Sequence, residues 1–303
     1  MNILQSIILG ITQGLAEFFP ISSSGHLVII PYFFKWAYLP LYYAVILHFA
    51  TLLSLLTVYY RDAGNIISSF FIGIFKKDKR NDRNFKLAVY IIIASVPAAI
   101  AGFFLNDVVE SFFSKPLYTG IFLLITAIIL FTGEIRGKVI GTRLSPNGED
   151  LSPQLNSNKS NDEQINNTKS SNPKINYFIA AVVGIGQAIA ILPGLSRSGS
   201  TISFARFFGI KREECVKFSF LLSIPVIFGS FIFELYKSHE IIFSSSALNM
   251  ADMAISFVFA YISGLLAIKF LTRLSRNKNL NIFAIYCIVM AVAIFIVIIA
   301  RSF

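Results

Sequence analysis

Two short polar runs interrupt an otherwise apolar chain. The first holds Gln13, Glu17, Ser22, Ser23, Ser24, Gly25 and His26; the second holds Gln187, Ser196, Arg197, Ser198, Gly199 and Ser200. These residue types suit a phosphate. Arg197 offers a bidentate fork to phosphate oxygens. Gly25 and Gly199 let backbone N–H groups turn toward an anion, and helices that start at these breaks add partial positive charge. Ser22, Ser24, Ser196 and Ser198 add donors without bulk. Glu17, with Gln13 one helical turn earlier on the same face, is placed to hold a divalent cation, Mg2+ or Ca2+, that bridges phosphate oxygens. His26 suits acid–base or nucleophilic work near neutral pH. Ser23 is the alternative nucleophile.

Plainer readings compete at each position. A histidine within an apolar span is often a packing residue, and His48 is read that way. His26 differs because it ends a polar break. Ser22 and Ser196 equally suit helix caps. A purely structural Glu17–Arg197 ion pair would leave the surplus of hydroxyls unexplained. Glu110, Glu134 and Glu234 lie near span ends and are expected to be solvated. Trp36 and Tyr38 read as interfacial aromatics, and Cys215 and Cys287 as packing residues.

The elements that position these groups are helices in a membrane. Of 303 residues, 55% are hydrophobic and 14% charged, against about 25% charged in a soluble domain. Residues 41–60, 86–105, 117–133, 215–236, 250–268 and 281–300 are mostly free of charge. Each is long enough to span a bilayer, which takes roughly 20 residues. The reading is an all-α polytopic membrane protein with six transmembrane helices. The net charge of +10 reflects basic loops between apolar blocks, not a nucleic-acid partner. The first Lys or Arg is Lys35, so no cleavable signal peptide is expected.

The chain also contains a repeat. Gly10–His26 lies over Gly184–Ser200 without a gap. Gly10, Ile11, Gln13, Ala16, Ser22, Ser24 and Gly25 match Gly184, Ile185, Gln187, Ala190, Ser196, Ser198 and Gly199. The first repeat is read as residues 1–135, a polar cytoplasmic loop as 136–176 and the second repeat as 177–303. Each repeat opens with an apolar arm, a Ser-x-Ser-Gly break and a short second arm. About eight helical residues cover only ~12 Å, so the two arms are predicted to form a re-entrant hairpin, followed by three spans. Three spans reverse the chain, which makes the second repeat an inverted copy of the first. This arrangement places every Lys and Arg except Lys35, Lys115, Arg197, Lys237 and Arg301 on one face. That face is cytoplasmic by the positive-inside rule. Both termini and the active site are then expected outside.

No G-x-x-x-x-G-K-[ST] or H-E-x-x-H occurs, which removes P-loop and zincin chemistry. The type-2 phosphatidic-acid phosphatases also carry an S-G-H and an S-R, but their further histidine is Ser203 here. E-F-F-P-I-S-S-S-G-H (Glu17–His26) with P-G-L-S-R-S-G (Pro193–Gly199) resembles the undecaprenyl-diphosphate phosphatases, the bacitracin-resistance membrane family. F-S-F-L-L-S-I-P (Phe218–Pro225) and A-V-I-L-H-F-A-T-L-L (Ala44–Leu53) add to the likeness. The resemblance implies hydrolysis of a polyprenyl diphosphate to the monophosphate on the outer face, recycling the lipid carrier of cell-wall synthesis. It links Glu17 to the metal, His26 and Ser23 to catalysis, and Arg197 to phosphate binding. The family's first acidic slot is Gln13 here, one carboxylate fewer for metal. The polyprenyl diphosphate, the bilayer and a second copy in a homodimer are the partners considered. A polyprenyl-phosphate transporter or flippase is the alternative that inverted repeats suggest.

Overall fold

The computed structural model describes residues 2–144, 174–242 and 250–303. The described residues are helical, with no strand among them. The helices are α1 (Ile3–Phe18), α2 (Ser23–Phe33), α3 (Leu41–Phe75), α4 (Arg83–Phe112), α5 (Pro116–Leu144), α6 (Tyr177–Ile189), α7 (Arg197–Arg206), α8 (Arg212–Ile242), α9 (Met250–Asn277) and α10 (Asn281–Ser302).

Six of these, α3, α4, α5, α8, α9 and α10, are long and apolar enough to cross a membrane. α1 and α6 are apolar but shorter, with 16 and 13 residues. At 1.5 Å per residue they extend about 24 and 20 Å. α2 and α7 have only 11 and 10 residues. Side-chain caps start the short helices: Asn2 for α1, Ser22 for α2, Asn176 for α6 and Ser196 for α7. Pro31, Pro97 and Pro225 lie inside helices, which membrane helices tolerate because neighbouring groups satisfy the freed backbone.

α1 packs on α9, and α6 packs on α4. The pairs α3–α9 and α8–α4 are likewise counterparts, as are α5–α7 and α10–α2, and α1–α2 and α6–α7. α3 meets α8 and α5 meets α10. Replacing each first-half helix by its second-half equivalent turns this set of pairings into itself. Polar bonds hold the α1–α9 contact: Ser256 Oγ donates to the Ser6 carbonyl at 2.9 Å and also meets the Tyr43 hydroxyl.

The structure corrects several expectations. α5 continues through Arg136 to Leu144, so the polar segment begins as helix. Its residues 145–173 lie outside the described residues. Glu134 and Glu234 are buried, not solvated. Arg212 donates through Nε to both carboxylate oxygens of Glu134 at 2.9 Å, and Ser238 donates to Glu234 at 2.6 Å. A buried carboxylate needs such partners to offset its desolvation. Glu110 is exposed as expected, 3.3 Å from Lys237. Cys215 and Cys287 are buried and unpaired.

Candidate active site

The two serine breaks meet each other. α1 ends at Phe18, and Ser22 adopts φ 70°, a left-handed conformation unusual for a residue with a side chain. Its hydroxyl accepts from the Gly25 amide at 3.2 Å and from the Gly194 amide at 3.1 Å. It therefore caps α2 and clasps the second break at once. Gly194 has φ +107°, which favours glycine. A side chain at Gly25 would lie 3.0 Å from the Gly194 Cα, so the loops approach closely only because Gly25 has none.

In the second break, Ser196 accepts from the Gly199 amide at 3.0 Å and caps α7. Thr126 of α5 donates to the Gly194 carbonyl at 2.9 Å and accepts from the Ser196 amide at 3.0 Å. Ser198 donates to the Phe19 carbonyl at 3.1 Å, crossing back to the first break. Ser22, Ser196 and Ser198 thus hold the loops in place. The helix N-termini at Ser23 and Arg197 carry unpaired amides by construction and supply the anion-attracting field.

Glu17 is the hub. Its Oε1 accepts from Arg197 at 2.5 Å. Its Oε2 accepts from Gln13 Nε2 at 2.9 Å and from the Ser23 hydroxyl at 2.7 Å. His48 Nε2 lies 3.2 Å from the same oxygen and 3.4 Å from Ser23 Oγ. The other ring nitrogen of His48 is 2.6 Å from the Ala44 carbonyl. A carbonyl only accepts, so Nδ1 carries a proton and Nε2 is the nitrogen turned toward Ser23 and Glu17. Glu17 is 4% exposed as a side chain, Arg197 17% and His48 23%.

All of these groups except the fully buried Gln13 line one end of a cavity of about 400 Å³. Glu17, Ser22, Ser23, Ser24, His48, Gln187, Ser196, Arg197 and Ser198 form the polar end. Val45, Ala98, Phe103, Val109 and Phe233 of α3, α4 and α8, with Phe113 and Ile191, form mostly apolar walls, into which Ser95, Asn106, Ser230 and Glu234 also face. A charged head beside an apolar corridor fits an amphiphile that carries an anionic group.

The two histidines lie on different sides of the serine break. His48, read as packing, stands beside Glu17 and Ser23. The rule that an ionisable residue inside a span is a functional candidate had already singled out Arg197, and it applies equally to His48. His26 points the other way. Its Nδ1 donates to the Ser22 carbonyl at 2.7 Å, and its Nε2 is 2.8 Å from the Tyr286 hydroxyl. It lines a different cavity, between α1, α2, α9 and α10, and is absent from the lining of the Glu17 cavity.

A divalent cation fits the donor set only sparingly. No group of three or more His, Cys, Asp or Glu is suited to a metal among the described residues. The carboxylate of Glu17 already faces Arg197. Gln13 Oε1, buried without a hydrogen-bond partner, is one further donor. Glu17 and Gln13 could together hold a cation that takes its remaining ligands from phosphate oxygens and water, the usual habit of Mg2+.

The profile of the family described as "Bacitracin resistance protein BacA" matches residues 6–293. Curated relatives named "Undecaprenyl-diphosphatase" cover nearly the whole chain. The one from Korarchaeum cryptofilum is 37% identical, over 97% of this chain and 98% of its own. That from Methanococcus maripaludis is 38% identical, over 94% and 96%. "Undecaprenyl-diphosphatase 1" of Shouchella clausii is 32% identical, over 98% and 96%.

Proposed function

The chain belongs to the Bacitracin resistance protein BacA family, and we propose that Ser23, Glu17 and Arg197 carry out its reaction, with His48 beside them. The protein is a multi-pass membrane hydrolase that cleaves undecaprenyl diphosphate to the monophosphate and inorganic phosphate. The observation that carries the residue assignment is the position of one carboxylate, Glu17. It touches a hydroxyl from its own half and a guanidinium from the other.

A serine hydroxyl is a weak nucleophile until a base takes its proton. Ser23 Oγ, 2.7 Å from Glu17 Oε2, has that base in place. When the diphosphate enters, Arg197 is drawn toward its oxygens. Ser23 Oγ attacks the terminal phosphorus and its proton passes to Glu17. The bond from that phosphorus to the bridging oxygen breaks, and the lipid monophosphate leaves with the electron pair. Water then attacks the phosphoserine, the bond from phosphorus to Ser23 Oγ breaks, and Glu17 returns its proton to Oγ, restoring the hydroxyl and the carboxylate and releasing inorganic phosphate. Positively charged and N–H donors stabilise the charge that develops on the transferred group. Arg197 and the first amides of α2 and α7 supply them, with Ser24 adding a hydroxyl. A divalent cation, Mg2+ or Ca2+, held by Glu17 and Gln13 would neutralise further phosphate charge.

The same reading gives the protein its orientation. The short helix pairs α1–α2 and α6–α7, each led by an apolar helix, are re-entrant hairpins of an inverted repeat, with the termini and the site outside. Three observations support this. None of the four is among the helices long enough to span. The most extensive helix pairings, α1–α9 with α6–α4, α5–α10 and α3–α8, survive exchange of the halves. The cavity runs from Glu17 toward Val109, Phe113 and Glu234, at the ends of α4 and α8 remote from the basic turn at Lys77–Asn81. Transport of the lipid phosphate would need the anion site but not a hydroxyl–carboxylate pair beside it. Purified protein should release phosphate from a polyprenyl diphosphate in detergent, and Ser23→Ala should abolish release. A Ser23→Ala variant that turns over at the wild-type rate rejects the assignment.

A further inference from the structure

His26 is placed to act on the reaction without touching the substrate, and its partner Tyr286 has no role in the chemistry above. The Nδ1–H of His26 donates to the Ser22 carbonyl at 2.7 Å. With that proton fixed, Nε2 is an acceptor, and the Tyr286 hydroxyl donates to it at 2.8 Å. The two rings also stack, with centroids 5.6 Å apart and planes 12° from parallel. Ser22 is the residue with φ 70° immediately before Ser23. Its carbonyl direction therefore sets where the Ser23 hydroxyl points.

Behind this loop Phe19 packs against Phe283 and Phe270, and beside that contact lies open space. A cavity of about 780 Å³ is lined by Phe19, Ile21, His26, Phe283 and Tyr286, among others. The hydrogen-bonded stack crosses that space from α10 to the loop. The adjacent residue, Cys287, adds only a weak contact from Sγ to the Pro20 carbonyl at 3.9 Å. A left-handed serine persists only where its surroundings over-determine it, and Ser22 is held on one side by the Gly25 and Gly194 amides. On the other side it is held by His26.

We propose that Tyr286 and His26 form a positioning pair that keeps Ser22 in its left-handed conformation and so aims Ser23 at the terminal phosphorus. The proposal rests on Ser23 being the nucleophile. Loss of one such bond moves the loop and leaves Arg197 and the cavity walls in place. The effect therefore falls on kcat rather than on binding.

The test uses the purified full-length protein, a polyprenyl diphosphate as substrate and its non-hydrolysable methylene analogue as a binding probe. Tyr286→Phe keeps the ring and removes the hydroxyl. It is expected to lower kcat about tenfold, the equivalent of one hydrogen bond, with KM and analogue affinity unchanged. His26→Gln, which retains an amide donor for the Ser22 carbonyl, is expected to recover part of the kcat lost in His26→Ala. An unchanged kcat in Tyr286→Phe overturns the proposal. So does loss of analogue binding in parallel with kcat, because the pair would then be holding the whole cavity. Activity in Ser23→Ala would reject the nucleophile assignment instead, whatever Tyr286→Phe does.

Discussion

Arg197→Lys is the perturbation that weighs the second half of the site against the first. The guanidinium donates to Glu17 Oε1 at 2.5 Å and approaches the Ser219 carbonyl at 3.4 Å. Lysine keeps the positive charge, so Glu17 is not left as a buried carboxylate without a cation. A neutral replacement would do that, and breaking a buried pair costs about 3–5 kcal/mol of stability. What lysine removes is the planar fork that reaches two phosphate oxygens together. The side chain is only 17% exposed, so little water is present to replace the missing donor. Removing one donor aimed at transition-state charge costs about 10²–10³ in rate, or 2.7–4 kcal/mol. Arg197→Lys is therefore expected to lower kcat/KM for a polyprenyl diphosphate by about 10²–10³-fold. Phosphate release at fixed micellar substrate concentration measures it, with thermal unfolding in the same detergent as the control for folding. A kcat/KM within roughly threefold of wild type, where even one tenfold step is 1.36 kcal/mol, would refute the claim that Arg197 binds the reacting phosphate.

Other expectations follow from single contacts. His48→Phe keeps a ring in α3 but removes the nitrogen 3.4 Å from Ser23 Oγ and 3.2 Å from Glu17; kcat should fall about tenfold, as for loss of one hydrogen bond to the nucleophile and its base, with KM little changed. Gly194→Ala places a Cβ 2.6 Å from the Thr119 carbonyl at a φ of +107°, and a lowered melting temperature corresponding to about 1–3 kcal/mol is expected. Single cysteines at Lys79 and Asn279 should both label from the cytoplasmic side and one at Lys35 from outside; labelling of Lys79 and Asn279 from opposite sides contradicts the re-entrant hairpins.

Much of the site was legible from residue spacing. The repeat aligned Ser22 with Ser196 and Gly25 with Gly199, and both serines cap the helices that follow. Glu17 and Arg197 stood out because each breaks the repeat with a charge, and the structure joins them. The direction of His26 was not legible. α2 buries Leu27, Val28 and Ile29 on successive positions, so it has no polar face to orient it. A helix surrounded by protein gives no periodic signal of which side meets which cavity. His48 was missed for a related reason. It lies in an apolar run of α3, and only the third dimension brings it 3.2 Å from Glu17. The fates of Glu134 and Glu234 depended likewise on partners distant in sequence or on a local serine.

The central claim is that the phosphate passes through Ser23. The most direct measurement is a rapid quench in dodecyl sulfate at neutral pH, which preserves phosphoserine and phosphohistidine alike, during turnover of a polyprenyl diphosphate labelled in its terminal phosphate, followed by mass spectrometry of the peptide that contains residues 17–26. The account predicts a phosphoryl group on Ser23 that is absent in Ser23→Ala and diminished in Glu17→Gln. Label on His26, or rapid turnover with no phosphoryl-enzyme at any quench time, would contradict it.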